Sequence, residues 1–539
     1  MEAENDLINL KRLKTLAEHS DVYRDSQRLA IIDMGSNSFR LIVVEYVPQL
    51  SFKVTDEVRE AVRLSEGMAA NDVMSAAAMD RAARVMRIYA AFCAASGIND
   101  IVAVGTSAIR EARNRAYFLK RIVSESNIPV RVLEGEEEAY YAYLAAVNST
   151  TLTDGFVLDL GGGSMEIIRV KNRRNANAIS LPLGAVRVTE RFLHSDPVTS
   201  KEVKKLQSHL RDVYQNIDWF QAEPGMMLVG EGGTLRLIAR LIQKQKHYPL
   251  DHLHGYVMTL DEVDAVVDKL ASLSVAERNK LAGMKHDRAD ISLAGAIVVA
   301  EAMRASGAKS MTICSQSMRE GLFYERFLAG SGAPVFHNVR HAAVLNLAHL
   351  YRFQEQHAEH IARLTLSMFD QLPPETHDCG PVERELLWAA SMLHDIGVSV
   401  DYHDHHKHSA YLILNGGLPG YTHREIALIA LMARYHRKGK PTVDEFASLL
   451  KPGDDRRLLQ LCALLRLAEQ LDRSRDGVVR DLSLRVVGGH ALMEINFRGD
   501  EQVALWALER HTDIFEQAFG LKLQVIPIPV ETTADDALA

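Results

Sequence analysis

The sequence predicts an α/β protein: a duplicated two-lobe core, then a helix-rich domain, then a small α/β module. Three observations predict this. One short phrase is written twice, as Asp33-Met34-Gly35-Ser36-Asn37-Ser38 and Asp159-Leu160-Gly161-Gly162-Gly163-Ser164, each flanked by apolar runs. A second pair stands in matching register: Gly105 follows Asp33 by 72 residues and Gly230 follows Asp159 by 71, each at the end of a strand-like run. Two signals in register mark an internal repeat. Beyond Ser331-Gly332-Ala333-Pro334 the pattern turns helical and rich in histidine, and it changes again after about Arg475.

The elements follow in order. Residues 1–28 carry Leu7, Leu10, Leu13 and Leu16 at helical spacing and read as a helical extension; they lack the apolar stretch of a signal peptide. Residues 29–141 form the first lobe, with strands at Leu29–Ile32, Leu41–Val44, Ile101–Val104 and Val130–Leu133 and a helix at Ala76–Ala95. Residues 142–330 form the second, with strands at Phe156–Leu158, Ile167–Val170 and Met226–Val229 and a helix at Val203–Phe220. Crossover helices between strands make each half an α/β unit. Residues 331–480 form the helical domain. Residues 481–539 form the small module, with a hairpin around Gly488-Gly489, a helix at Gln502–Phe519 and a last strand at Leu521–Pro529.

Composition bounds the function. The 539 residues, 47% hydrophobic and 24% charged, describe a globular protein of three or four domains. A net charge of −8 provides no global basic field, which argues against nucleic-acid binding and requires any polyanionic ligand to meet a local basic patch. Cys93, Cys314, Cys379 and Cys462 have neither metal nor redox spacing, which fits a reducing, cytoplasmic compartment. No apolar run approaches the length of a membrane span, so no membrane partner is expected.

The repeated phrase carries the chemistry. A turn rich in Gly and Ser aims backbone N–H groups at a phosphate, and a neighbouring Asp suits the magnesium that accompanies phosphate chains. Two such turns suggest two lobes closing on one phosphorylated ligand. Arg110, after Gly105-Thr106-Ser107-Ala108-Ile109, offers a guanidinium for phosphate oxygens. In Glu134-Gly135-Glu136-Glu137-Glu138-Ala139, successive helical residues point about 100° apart, so at most one or two carboxylates face a cleft. One beside a bound phosphate would have a raised pKa and suit a general base; geometry alone leaves the choice open.

These motifs together resemble the exopolyphosphatase / guanosine pentaphosphate phosphatase family: D-x-G-S-N-S, G-T-S-A-x-R, G-E-E-E-A, D-x-G-G-G-S and G-E-G-G-T, in this order. The resemblance implies a duplicated actin–hexokinase–Hsp70-like (ribonuclease H-like) core. It implies magnesium-dependent hydrolysis of a terminal phosphoanhydride, with orthophosphate released from inorganic polyphosphate or from the 5′ end of guanosine pentaphosphate. It assigns Glu138 as base, Asp159 and Glu166 as the magnesium pair, Asp33 as an assistant and Arg110 as a phosphate grip. Gly35, Ser36, Asn37, Ser38, Thr106, Gly161, Gly162, Gly163, Ser164, Gly232, Gly233 and Thr234 would cradle phosphates. It also suggests a homodimer. Met165 stands where Thr is usual and Gln316 where Gly is usual; neither removes a catalytic group.

The helical domain carries a second pattern. His357 heads the stripe Ile361, Leu364 and Met368; His394-Asp395 ends another helix; His436 continues Leu428, Ile429 and Met432. Asp472 continues the stripe Leu461, Leu464, Leu465 and Ala468, with Arg466, Gln470 and Arg473 facing away. Inward His and Asp on apolar stripes need partners. The pattern H…HD…H…H…D resembles an HD-type metal-dependent phosphohydrolase domain, all-α in fold. That resemblance implies a second divalent metal on His357, His394, Asp395 and Asp472, with His408 and His436 extending the set. The basic run Arg434–Lys440 suits a track for a long polyphosphate. Rival readings are a sugar kinase of the same fold, and a regulatory protein that binds polyphosphate or guanosine tetra- and pentaphosphate without hydrolysis.

Overall fold

The structure, a computed structural model, describes residues 26–68 and 71–528. The expected N-terminal helix lies outside the described residues except for its last positions, as does the tail after Ile528. The chain divides into two compact units, one ending at Val339 and one starting at Arg340. Among the described residues no helix is long and apolar enough to cross a membrane.

The first unit repeats one sheet topology. β1 (Gln27–Met34), β2 (Ser38–Val47) and β3 (Ser51–Ala61) form an antiparallel meander, and β4 (Asp100–Gly105) and β5 (Val130–Val132) extend it in parallel, in the order β3-β2-β1-β4-β5. β6 (Gly155–Leu160), β7 (Met165–Lys171) and β8 (Arg174–Leu181) make the second meander. β9 (Met227–Glu231) and β11 (Ser310–Ile313) extend it in parallel, and β10 (Val257–Thr259) closes the edge antiparallel to β11. β1 is buried on both faces: Ala30 and Ile32 join the core under the helix Ala76–Ala95, and Leu29 and Ile31 join a core shared by the two sheets.

Two helices build that shared core. Gly135–Ser149 follows the first sheet and packs on β6, β7, β8 and β9; Met318–Phe327 follows the second and packs on β1 and β2. They also pack on each other. At that crossing a Cβ on Gly321 would stand 1.9 Å from the Tyr141 carbonyl oxygen, so only glycine admits this approach. The helix expected over Val203–Phe220 runs Ser200–Tyr214; a capping box between Thr199 and Glu202 starts it earlier, and Ile217 and Phe220 are buried in the turns that follow.

The second unit begins with the helix Val339–Leu350 and continues with the helices Glu355–Gln371, Pro381–Leu393, His405–Gly416, His423–Tyr435 and Asp454–Leu471, followed by a sheet and two tail helices. In that sheet β12 (Val479–Val487) and β13 (His490–Phe497) form the expected hairpin, and β14 (Lys522–Ile528) joins β13 in parallel. The helix expected over Gln502–Phe519 is two, Gln502–Glu509 and Thr512–Phe519, with the break at His511, whose ring nitrogen Nδ1 lies 3.0 Å from the Ala507 carbonyl. Both pack on Asp454–Leu471, as do three helices of the bundle. Beyond its first turn that helix is therefore enclosed, and the expectation that Arg466 and Gln470 face away fails: both are buried, and Arg466 Nη2 donates to the Tyr435 and Gly439 carbonyls at 2.6 and 2.8 Å.

Candidate functional site

The two repeated turns face each other across one cleft. Their carbonyls are held from behind. Gly161, Gly162 and Gly163 accept from the amides of Ala185, Val186 and Gly184 at 3.0, 2.9 and 3.3 Å; Asn37 accepts from Arg63 at 2.8 Å and Ser36 from Ser65 at 3.1 Å. A trans peptide points its N–H away from its C=O. The amides of Asn37, Ser38, Gly162 and Ser164 thus turn to the other side, and these residues line the cleft with Gly35, Ser36, Thr106, Gly161, Gly232, Gly233 and Thr234. Gly163 lies behind, where a Cβ would stand 2.4 Å from Ser107 Oγ and 2.7 Å from Ser36 Oγ. Gly232 sits at φ +96°, and a Cβ there would stand 2.4 Å from the Leu160 carbonyl oxygen and 2.9 Å from Asp159 Oδ1.

The floor is acidic. Asp33, Glu138 and Asp159 line the cleft. Sheet register adds two carboxylates below it. Glu166 stands opposite Asp159 across β6–β7, and Glu231 stands opposite it across β6–β9; residues so paired share a face. Glu166 is 1% exposed and accepts from Ser180 Oγ at 2.8 Å. Glu231 is fully buried, and neither of its carboxylate oxygens has a hydrogen-bond partner. Burial, more than any one neighbour, raises all five carboxyls, Glu138 to about 7 and Asp159 to about 6. A set of crowded, dehydrated carboxylates is where a divalent cation with hard oxygen ligands fits.

Arg110 is tied to the base candidate. Its Nη1 donates to the Leu133 carbonyl at 2.8 Å and to Glu138 Oε2 at 3.0 Å, and it does not line the cleft. The cations that do are Arg40, Arg236 and Arg288. Arg40 pairs with Asp33 across β1–β2. Burial and the other arginines push Arg40 down to about 9 and Arg288 to about 10. These three also line a neighbouring cavity of about 370 Å³ with Arg59, Arg240, Lys285 and Arg319; its acids are Glu57, Asp251 and Glu320. The sequence reading missed this wall and Glu231. The register signal was available: Arg40 follows Asp33 as Glu166 follows Asp159.

In the second unit His357, His394, Asp395 and His436 come together, and the site differs from the expected one at two positions. Asp472 caps the end of its helix, where its carboxylate lies 2.7 Å from His357 Nδ1 and accepts from the Gly477 amide at 3.0 Å. It faces the far side of the His357 ring, and Glu469, one turn earlier, takes the inward place, 3.2 Å from Nε2 of both His357 and His394. His408 is half-buried outside the cluster; His405, at the start of the same helix, lies 3.1 Å from Asp395 Oδ1. The basic run at Arg434–Lys440 leaves the helix after Tyr435, with Lys438, Gly439 and Lys440 exposed.

Comparison with known proteins follows the same division. The Ppx/GppA phosphatase family model matches residues 42–329, and its domain III model matches residues 339–511. Among solved structures, a Ppx/GppA family member from Aquifex aeolicus is 28% identical, with 57% of this chain and 100% of that chain covered at a TM-score of 0.50. An exopolyphosphatase-like protein is 27% identical, covering 57% and 100% at a TM-score of 0.51. An exopolyphosphatase from Cytophaga hutchinsonii shares the fold at 24% identity, covering 56% and 98% at a TM-score of 0.53. With both family models matched in order along most of its length, the chain belongs to the Ppx/GppA phosphatase family and is, by class, a phosphoanhydride hydrolase.

Proposed function

We propose that the protein is an exopolyphosphatase with the duplicated actin-like core its motifs suggest, and with Glu138 as general base. The observation that carries this reading is the join between the cleft and the basic cavity: a terminal phosphate over Asp33, Glu138 and Asp159 would leave the rest of its chain against Arg40, Arg236 and Arg288. A wall of guanidiniums continuing past the catalytic carboxylates suits a repeating polyanion.

Glu138 Oε2, held by Arg110, would take a proton from the attacking water as its oxygen bonds to the terminal phosphorus. The phosphoanhydride bond breaks, and the electron pair leaves on the bridging oxygen of the shortened chain. Arg40, Arg236 and Arg288 would neutralise that oxyanion, and the amides of the two turns would hold the transferred group. Asp159 and Asp33, with Glu166 and Glu231 beneath, fit magnesium, which when bound would offset the charge of the phosphate oxygens. Burial of Glu138 keeps its proton affinity near neutrality, as a base at physiological pH requires.

The test offers purified protein, with Mg²⁺, long-chain polyphosphate, guanosine pentaphosphate and ATP, and reads orthophosphate. The reading requires fastest release from polyphosphate. Release from guanosine pentaphosphate alone would assign a 5′-phosphohydrolase, and binding without release would assign a sensor.

A further inference from the structure

In the second unit we infer a two-ion transition-metal centre held by His357, His394, Glu469, Asp395, His405 and His436, with Asp395 shared between the ions. This rests on observations separate from the phosphate cleft. Five helices, or the turns that end them, deliver these six residues to one buried point.

Each histidine is anchored through its outer nitrogen. Nδ1 lies 2.7 Å from Asp472 Oδ2 in His357, 2.7 Å from the Ser391 carbonyl in His394, 2.9 Å from the Tyr402 carbonyl in His405 and 2.7 Å from the Ala433 carbonyl in His436. A carbonyl only accepts, so it fixes the proton on Nδ1 and leaves the Nε2 lone pair facing inward. This is the outer-shell arrangement that orients metal-bound imidazoles. Asp472 is thus a positioning residue.

The inner atoms have the spacing of ligands. Donors bound at about 2.1 Å to one ion stand roughly 3.0–3.4 Å apart. Glu469 Oε2 is 3.2 Å from Nε2 of His357 and of His394. Asp395 Oδ1 is 3.1 Å from His405 Nε2, 3.6 Å from His436 Nε2 and 3.8 Å from His394 Nε2. His405 and His436 bring their Nε2 atoms to 3.2 Å of each other. Asp395 belongs both to the set His357–His394–Asp395 and to the set Asp395–His405–His436, which is why one carboxylate is shared. The inner atoms of His357, His394, Asp395 and Glu469 are buried without a hydrogen-bond partner. A buried polar atom left in that state is costly and asks for a ligand. Imidazole and carboxylate without thiolate suit Mn²⁺, Fe²⁺, Co²⁺ or Zn²⁺ rather than Ca²⁺ or Mg²⁺.

The test uses full-length, tag-free protein loaded with Mn²⁺ or Zn²⁺, dialysed, and analysed for metal. We expect about two ions per chain and a raised Tm, and for Mn²⁺ an exchange-coupled electron paramagnetic resonance signal. Asp395→Asn should abolish that coupling, and Glu469→Gln should lower the ion content. Glu469→Gln is mild enough to keep the chain folded should a His→Ala variant not be. Glu138→Gln, in the other unit, should abolish orthophosphate release and leave the bound metal unchanged, which separates this inference from the proposed function. Wild-type protein that retains no ion and shows no change in Tm with either metal would overturn it, leaving a histidine–carboxylate network.

Discussion

Replacing Glu138 by Gln isolates the proposed base from everything else in the cleft. The amide is nearly the same size, and its oxygen can still accept from Arg110 Nη1, now 3.0 Å from Oε2, so the helix Gly135–Ser149 keeps its anchor. What is lost is proton acceptance. General-base contributions of about 10²–10⁴-fold set the expected fall in kcat, equivalent to about 3–5 kcal/mol of transition-state stabilisation. Stability should move the other way. Burial raises Glu138 to about 7 against about 4.5 for an ordinary glutamate carboxyl, so the folded state binds the proton more tightly than the unfolded one. Folding stability therefore falls as pH rises from about 4.5 to 7, by a limit of roughly 3 kcal/mol in the absence of metal. Gln carries no such cost. In EDTA at pH 8 the variant should unfold at the same or higher Tm than wild type, while steady-state orthophosphate release with Mg²⁺ drops at least a hundredfold at nearly unchanged KM. A kcat within tenfold of wild type would refute the assignment. So would a fall in Tm large enough to explain the lost activity by unfolding.

The other predictions follow from the same geometry. Because burial raises all five floor carboxyls, the stabilisation of the first unit by Mg²⁺, read as a Tm shift, should grow between pH 5 and pH 8; a constant shift would place the ion elsewhere. Arg288→Met, and separately Arg40→Met, should raise KM for long-chain polyphosphate several-fold more than for a short chain, and should flatten its salt dependence, since both guanidiniums line the cleft and the cavity beyond it. Gly321→Ala should destabilise the first unit by about 1–3 kcal/mol or more in chemical denaturation, because its Cβ would stand 1.9 Å from the Tyr141 carbonyl oxygen. Gly184→Ala should lower kcat: its Cβ would stand 2.3 Å from backbone atoms of Gly162 and Gly163 and would shift the turn proposed to hold the terminal phosphate.

The parts of the fold written as local pattern were legible. The strands around each Asp-Gly turn, the helix Ala76–Ala95 and the hairpin at Gly488-Gly489 depend on periodicity and turn chemistry, and all are present. What was not legible depends on partners distant in sequence. Arg466 and Gln470 looked exposed because a helical stripe predicts one inward face; the helix packs on further partners distant in sequence, among them the end of His423–Tyr435, whose carbonyls Arg466 meets, and the two tail helices. Asp472 is buried as the stripe implied, but the helix ends at Leu471, and its carboxylate accepts from the Gly477 amide and lies against His357 Nδ1; the ligand role came from the resemblance and not from the stripe. Glu469, one turn earlier, was hidden by that assignment. Glu231 needed the register of the parallel β6–β9 pair, which sets it opposite Asp159; Arg40, on the same hairpin as Asp33, was open to a register reading and was passed over.

Register also explains how a duplicated scaffold becomes an asymmetric site. Each lobe holds an Asp at the end of its first strand, with one cross-strand partner on the hairpin side and one on the parallel side. In the first lobe the partners of Asp33 are Arg40 and Val104; in the second the partners of Asp159 are Glu166 and Glu231. The backbone therefore offers the same positions twice, and the side chains there differ in charge: Arg against Glu on the hairpin side, Val against Glu on the parallel side. The second lobe concentrates negative charge, suited to a cation; the first sets a guanidinium at the equivalent position, suited to the anion the cation would accompany. Were both lobes acidic, a polyphosphate would meet net repulsion across the cleft. Were both basic, nothing would place a metal beside the terminal phosphate. Reversing the charge at Arg40 tests this directly. Arg40→Glu should weaken polyphosphate binding far more than Arg40→Met, because it adds a fourth carboxylate beside Asp33, Glu138 and Asp159 in the cleft besides removing a cation. Equal KM values for the two variants would mean that Arg40 contributes shape and not charge.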